Sequence, residues 1–293
     1  MKPIRSMLFV PGSKENWFNK IPEYDSDTII LDLEDSVPNN LKETARKNVA
    51  QVISPLASVN QRIYVRINRG PYGFDIEDLE AILQPELEGI VLPKLNGPED
   101  IDTITSIVSE IEHKKNIEIG TTKFIATLET ARSIYLAYEI GIKDRVVALA
   151  GVSPANGDVA RSVGYQWTKE GLERIYIRSH VVLAARAAEI IPIGGLWQDV
   201  HDLRGLKEAA TFNRQLGFAG EMIVHPSNVP VINKVYSPSE QEINHYKRMI
   251  ETFETAIRKG AGAVLFDGEH IDYAHVNTAR QMLKFAESFK ETS

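Results

Sequence analysis

Five consecutive apolar runs in this sequence end on charge. Asp32-Leu33-Glu34-Asp35-Ser36 closes one and Arg66-Ile67-Asn68 the next, followed by Pro93-Lys94 and Glu129-Thr130; Asp158 lies several residues into the loop that begins Gly151-Val152-Ser153-Pro154. A single charge at such a place is usually a solvated loop residue. Acids and cations gathered at one mouth are costly to desolvate unless they neutralise each other, a metal ion or a charged ligand. Hard divalent cations prefer carboxylate oxygen, and magnesium commonly takes one or two protein carboxylates, leaving its other positions to water and substrate. Glu129 and Asp158, on neighbouring strands, have the chemistry for that role, and Arg66 has the planar fork that clamps a carboxylate or an oxyanion. A metal held in this way stays open to a ligand with two oxygens, such as a 2-oxo acid. Two plainer readings stay open at this point: Glu129 as an N-cap of the following helix, and Asp158 as part of a loop turn.

For these residues to meet, the elements that carry them must lie side by side. Short β-type runs bounded by turn formers occur at 7–10, 28–31, 63–65, 89–92, 124–128, 146–149, 193–196 and 222–224. Between them, apolar residues recur at three- and four-residue spacing, most clearly over 41–52, 101–113, 133–140, 172–188 and 205–216, which predicts helices. Eight alternating units over roughly 225 residues predict a (β/α)8 TIM barrel, an α/β fold whose parallel strands need helical crossovers and whose chemistry gathers at the C-terminal strand ends. A doubly wound open sheet is the alternative, but no G-x-G-x-x-G turn follows the first strand, as a dinucleotide-binding version requires. The barrel is expected over 1–236. Residues 237–293 are expected as an appendage: a helix of about twenty residues opening at Ser237-Pro238-Ser239, a break at Gly260-Ala261-Gly262, two extended pieces around Asp267-Gly268, and a terminal helix over 274–289. Such a segment forms a lid, packed on its own barrel or on a neighbouring subunit.

The 293 residues, 43% of them hydrophobic, suffice for one barrel with an appendage. No run approaches the ~18 consecutive apolar residues of a membrane span, which excludes a helical membrane protein. The 40 acidic against 33 basic side chains, a formal charge of -7, leave no basic stripe for nucleic acid. The absence of cysteine removes thiolate zinc sites and cysteine nucleophiles together, so any metal must sit on oxygen or histidine. The opening Met1-Lys2-Pro3-Ile4-Arg5-Ser6-Met7 leads into an apolar run ended by Pro11-Gly12, too brief for a secretory core, and a cytoplasmic location is the expectation.

Beyond single residues, whole motifs follow one another in order. They are Arg5-Ser6-Met7-Leu8-Phe9-Val10-Pro11-Gly12; Leu31-Asp32-Leu33-Glu34-Asp35-Ser36 with Lys42 and Ala45-Arg46; Val65-Arg66-Ile67-Asn68; Leu92-Pro93-Lys94; and Glu129-Thr130. Asp158 to Gly164 with Trp167-Thr168, Leu216-Gly217-Phe218-Ala219-Gly220, Val224-His225-Pro226, Tyr236-Ser237-Pro238, Asp267-Gly268 and Ile271-Asp272 continue the series. In this order and spacing the chain resembles the HpcH/HpaI aldolase group, in particular the citrate lyase beta subunit and related stand-alone acyl-CoA lyases.

The resemblance implies a magnesium-binding barrel that assembles as a homotrimer or a hexamer and makes or breaks a carbon–carbon bond in a 3-hydroxyacyl-CoA thioester. Malyl-CoA or citramalyl-CoA would give an acyl-CoA and a 2-oxo acid. Position by position, Glu129 and Asp158 match the metal ligands, Arg66 the arginine on the 2-oxo acid, and Glu34 and Asp35 the acidic pair beside the metal. Asp272 matches the aspartate of the C-terminal segment that enters a neighbouring subunit's site as acid or base, although by itself it reads as the N-cap of the terminal helix. Arg5 and Lys14 are candidates for CoA phosphates, against plain solubilising charge. Trp17 and Trp167 are candidates to flank pantetheine or adenine, against ordinary packing, and His225 reads as structural. Several positions depart from the family pattern: the stretch from Gly151 to Asp158 is longer, Ser162 and Gly194 stand where aspartate is common, and Glu221 replaces a lysine, reversing a charge near the expected mouth. Two other roles stay open, a citrate lyase beta subunit acting on citryl-acyl-carrier-protein and a non-catalytic relative that binds a CoA ester or a protein.

Overall fold

Eight short apolar runs leave backbone groups that only neighbouring strands can satisfy, and in the computed structural model they satisfy each other in a ring. The structure describes residues 4–151 and 154–288. Val152 and Ser153, from the loop before Asp158, lie outside the described residues, as do Met1–Pro3 and Phe289, the expected end of the terminal helix. The strands are β1 (Ser6–Pro11), β2 (Thr28–Asp32), β3 (Ile63–Arg66), β4 (Gly89–Leu92), β5 (Lys123–Thr127), β6 (Val146–Ala150), β7 (Ile191–Gly195) and β8 (Gly220–Ile223). All neighbours are parallel and β8 pairs with β1, closing the (β/α)8 barrel. Among the described residues no helix is long and apolar enough to cross a membrane.

Side chains alternate across each strand, so parity decides which residues fill the barrel. Met7, Ile30, Tyr64, Val91, Ile125, Ala148, Ile193 and Met222 form the interior core. Two residues further along β2, β3 and β5, the same parity brings Asp32, Arg66 and Thr127 to the layer above it. The register places Pro11 beside Asp32 and Asp32 beside Arg66, so these residues share one rim.

The outer layer follows from helix periodicity. Helix α1 (Lys42–Ser58) buries Ala45, Val49, Ile53 and Leu56, and α3 (Pro98–Lys114) buries Ile101, Ile104, Val108 and Ile111; between them lies α2 (Ile76–Ile82). The helix expected over 133–140 is two, α4 (Ala131–Tyr135) and α5 (Ala137–Gly141), because Leu136 turns to φ −96°, ψ 26° between them. After these come α6 (Asp158–Val163), α7 (Ile175–Ala187), α8 (Leu203–Leu216) and α9 (Val229–Tyr236). The eighth strand begins earlier than the expected 222–224. A Cβ at Gly220 would stand 2.1 Å from the Ile4 carbonyl oxygen, so the residue that permits this close strand entry is glycine.

At the N-terminal end of the barrel, ion pairs tie the strand entries together. Arg5, just before β1, donates to Asp27, just before β2, through Nε at 2.9 Å and Nη2 at 2.6 Å. Arg62, just before β3, pairs with Glu88, just before β4. Arg5 is therefore corrected as a phosphate-binding candidate: it stands at the end opposite the strand termini that carry chemistry. Glu112 of α3 is fully buried and accepts from both terminal nitrogens of Arg145, at 2.9 and 2.8 Å, and from the N–H groups of Gly120 and Thr122, both at 2.9 Å.

The chain divides into two compact units, one spanning Ile4–Asn233 and the other beginning at Lys234, with the division inside α9. The second holds α10 (Glu240–Arg258), the antiparallel pair β9 (Val264–Phe266) and β10 (Glu269–Ile271), and α11 (Tyr273–Glu287). Ser239 caps α10 reciprocally with Glu242. Met249, Phe253, Phe266, Ile271, Val276 and Ala279 make this unit's own core.

Burial alone would raise the pKa of Glu112, but Arg145 and the two N–H groups bring it down to about 2. A depressed carboxylate stabilises the fold above its unfolded pKa and loses that contribution as pH falls toward 2. Glu112→Ala leaves Arg145 buried without its acid and should cost about 3–5 kcal/mol at neutral pH, measured by urea unfolding, with a smaller difference in acid.

Candidate active site

The rim starts from Asp32, which is fully buried at the end of β2. Its two oxygens accept from Arg66 Nε and Nη2, both at 2.7 Å, and also from the Glu34 N–H at 3.0 Å and the Ser36 N–H at 3.1 Å. Burial would raise the Asp32 pKa, but Arg66 and the Ser36 and Glu34 contacts hold it below its ordinary value. One carboxylate thus aims the arginine and folds the turn that follows β2.

Arg66 lies over the Phe9 ring at 4.7 Å and sends Nη1 to Glu34 Oε2 at 3.0 Å. Burial disfavours its charge, yet Asp32, Glu34 and Glu129 raise its pKa further. Glu34 is buried and its other oxygen meets Lys94 Nζ, which also reaches Asp35 at 3.1 Å. Burial, with Asp35 beside it, raises the Glu34 pKa against the pull of Arg66 and Lys94. From behind, Lys42 of α1 donates to the carbonyls of Leu33 at 2.6 Å and Glu34 at 2.7 Å and to Asn68 Oδ1 at 2.7 Å. Asn68 in turn donates through its backbone N–H to the buried Asp78 at 2.8 Å.

Lys94 adopts a left-handed backbone, φ 52°, and its N–H donates to Glu129 Oε2 at 2.8 Å. No other hydrogen bond reaches the Glu129 carboxyl among the described residues. Thr130, not Glu129, caps α4, reciprocally with Ser133, so the capping alternative for Glu129 falls away. Burial, followed by the negative charges of Glu34 and Asp158, pushes Glu129 up to about 7, against the Lys94 N–H and Arg66. A carboxyl short of positive charge is the polar feature on which the site's chemistry turns.

Asp158 is the first residue of α6, not a loop turn, and its carboxylate pairs with Arg161 one helical turn on. Arg161 also donates to the Asn156 carbonyl at 2.9 Å. Ser162 Oγ accepts from the Ala131 N–H at 2.8 Å, fastening α6 to the start of α4. No group of three or more histidine, aspartate or glutamate side chains converges on one point among the described residues. The arrangement is instead two carboxylates, the buried Glu129 and Asp158, whose negative charge adds to the rise of the Glu129 pKa. Such a pair suits a hard divalent cation that completes its shell with water and substrate.

The remaining candidates are dispersed. Lys14 follows β1 on the C-terminal side and is exposed, while Trp17 is half exposed. Trp167 does not line the mouth: its ring lies under Arg174 at 4.6 Å, in a crevice of the helical layer behind β7 and β8. His225 Nδ1 accepts from the Ser227 N–H at 3.2 Å, a local capping role. Asp272 caps α11, in the unit beginning at Lys234. Asp32, Lys42 and Lys94 stand in the motifs of the sequence without a role assigned to them; the signal for Asp32 and Lys94 is their position at strand ends, whereas Lys42 opens α1 and carries no such signal.

A family model described as HpcH/HpaI aldolase/citrate lyase matches residues 5–226. The citrate lyase subunit beta of Escherichia coli (strain K12) is 30% identical over 283 residues, 97% of this chain and 93% of that protein. A (3S)-malyl-CoA thioesterase of Cereibacter sphaeroides is 31% identical over 290 residues, 98% of this chain and 95% of the other. Among solved structures, the protein CitE from Mycobacterium tuberculosis in complex with magnesium, acetoacetate and coenzyme A superposes with a TM-score of 0.79 at 27% identity, covering 97% of this chain and 98% of that one.

Two of the departures resolve into one. Glu221 was expected near the mouth, but it lies inside β8, buried and facing the helical layer, where it accepts from Asn213 Nδ2 at 2.8 Å. Gly194 lies within β7 as its register partner, not after the strand. A Cβ at Gly194 would stand 3.1 Å from Glu221 Oε2, so the carboxylate fills space that a side chain at 194 would need. Arg178 of α7 feels the Glu221 charge there. The acid of this pair thus stands on β8 and faces a glycine on β7, so that an acid at 194 is the exchange the geometry allows for the one at 221. Glu221→Lys should therefore destabilise the protein by about 3–5 kcal/mol, by setting a lysine against Arg174 and Arg178. Adding Gly194→Asp should recover part of that loss in a urea-unfolding double-mutant cycle, and additive losses would contradict the exchange.

Proposed function

The chain belongs to the HpcH/HpaI aldolase/citrate lyase family and is a lyase, and from that premise we propose a magnesium-dependent carbon–carbon lyase acting on a 3-hydroxyacyl-CoA thioester such as malyl-CoA or citramalyl-CoA. The products are an acyl-CoA and a 2-oxo acid, and the same site run in reverse is a Claisen-type synthase. The observation that carries the reading is Glu129, a buried carboxyl held to one backbone N–H, whose pKa is pushed up to about 7 by burial first and by the charges of Glu34 and Asp158 second. Magnesium supplies the missing positive charge and, when bound, Lewis acidity toward the oxygens of the 2-oxo acid. Glu129 and Asp158 hold it. The CitE relative binds magnesium, acetoacetate and coenzyme A together, which supports this combination of ligands.

Arg66 orients the substrate. Of the five N–H groups of a guanidinium, two are taken by hydrogen bonds to Asp32, while Nη1 faces Glu34 as an ion pair at 3.0 Å, which leaves N–H groups for the carboxylate of the 2-oxo acid half. Asp32 fixes the plane of that fork, and Glu34 and Asp35 hold Lys94, whose N–H orients Glu129. Lys14, beyond β1, is the remaining cation for CoA phosphate. In cleavage the 3-hydroxyl gives its proton to water, its O–H electron pair forms the carbonyl of the 2-oxo acid, and the electrons of the broken carbon–carbon bond pass to the thioester fragment as an enolate. Asp272 returns a proton to that carbon and in condensation removes it.

Residues beyond 236 act as a lid over a neighbouring barrel in a homotrimer or hexamer. Exposed Tyr135, Tyr138, Leu172, Tyr176 and Leu183, on and beside α4, α5 and α7, support homo-oligomer formation. A second reading, action on a citryl thioester of an acyl-carrier protein, is favoured by the Escherichia coli citrate lyase relative.

Glu129→Ala should abolish both cleavage of 3-hydroxyacyl-CoA and magnesium-dependent exchange of the methyl protons of acetyl-CoA. Wild-type activity confined to carrier-protein thioesters would replace the first reading with the second. Magnesium binding requires ionised Glu129, so calorimetry should find affinity falling up to tenfold per pH unit below about 7 and flat above it. Arg161 competes for Asp158. Arg161→Ala should tighten magnesium binding by up to about fivefold, since an exposed ion pair is worth at most ~1 kcal/mol.

A further inference from the structure

Helix α11 opens on a carboxylate whose two oxygens are used unequally. Asp272 Oδ1 accepts from the Ala274 N–H at 2.9 Å and the His275 N–H at 3.4 Å, and it lies 2.7 Å from His275 Nδ1. Among the described residues, no hydrogen bond reaches Oδ2. Two lone pairs repel at 2.7 Å, so a proton lies between Nδ1 and Oδ1. The Asp272 N–H also approaches Nδ1, at 3.3 Å, but a protonated nitrogen cannot accept it. The pair therefore sets Nδ1 as the nitrogen that donates to Oδ1.

Both side chains are about half exposed, and among the described residues no other side chain hydrogen-bonds to either of them. Nearby charges of the same unit are already engaged with one another, Arg248 with Asp267 and Arg280 with Glu254. The His275 hydrogen bond comes first among the influences that hold the Asp272 pKa below its ordinary value, ahead of the backbone N–H groups.

We propose that His275 is a positioning residue for Asp272: its Nδ1–H pins Oδ1, so that Oδ2 is the oxygen that gives and takes the proton at the substrate's α carbon. This rests on the acid or base role assigned to Asp272 above. In cleavage the Oδ2–H bond breaks, a C–H bond forms on the enolate carbon, and the O–H electron pair stays on the carboxylate. The Nδ1–H bond to Oδ1 stabilises the charge left there. In condensation the same steps run backward. The carboxylate takes up its proton from water before each cleavage and gives it back to water after each condensation, so that charge and protons balance over a turnover.

The test uses the full-length magnesium-loaded enzyme and measures cleavage of a 3-hydroxyacyl-CoA together with α-proton exchange of acetyl-CoA. His275→Ala should lower kcat for both at least about tenfold, the scale of a hydrogen bond to a charged group, with KM held within about twofold. His275→Asn, whose amide N–H reaches toward the same oxygen, should recover most of the loss. A merely structural cap predicts losses that follow melting temperature in both variants. Long-range proton–nitrogen spectra should find His275 protonated at Nδ1 at neutral pH, with the signal changed in Asp272→Asn. Protonation at Nε2 alone, or an unchanged kcat in His275→Ala, would overturn the proposal. Full activity in Asp272→Asn would instead remove the acid or base role on which it rests.

Discussion

The bidentate pair of Asp32 and Arg66 is the constraint on which the rest of the rim depends. Neither residue is tolerable alone at the top of an apolar core, because an isolated buried charge costs several kcal/mol and is more stable neutralised. Together they close two parallel hydrogen bonds at 2.7 Å between neighbouring strands in register. The carboxylate then has capacity left for the N–H groups of Glu34 and Ser36, which shapes the turn after β2 and delivers Glu34 to the same arginine.

Charge propagates outward from that pair in alternation. Asp32 meets Arg66, Arg66 meets Glu34, and Glu34 meets Lys94, each acid limited by the next cation. The series stops at Glu129, which among the described residues receives only the Lys94 N–H. Its pKa near 7 reflects burial first, and then an imbalance of charge at the end of an otherwise compensated network. A site of this kind is rigid where it is paired and responsive where it is not, which is what a binding place for a cation and an anionic substrate requires.

Strand parity made much of this legible in the sequence. Ile30 and Asp32, Tyr64 and Arg66, and Ile125 and Thr127 lie two apart, so knowing that the first of each pair is core places the second on the same side. The positions of Arg5 and Glu221 were not legible, for different reasons. Arg5 sits in a recurrent motif, but a motif does not say at which end of its strand a side chain stands; its pairing with Asp27 does. Glu221 became a strand residue because β8 starts at Gly220, a boundary decided by the close passage of Ile4.

The sequence by itself determined the repeating strand and helix units, the carboxylates and cations at the strand ends, and the family to which their order belongs. These follow from local periodicity and residue type, which a linear chain carries in full. Only the tertiary structure decided which acid each cation at the rim serves, and that Gly194 and Glu221 occupy one shared space. Pairings of this sort depend on distances between residues far apart in the chain, set by barrel closure and strand register, and no local pattern encodes them.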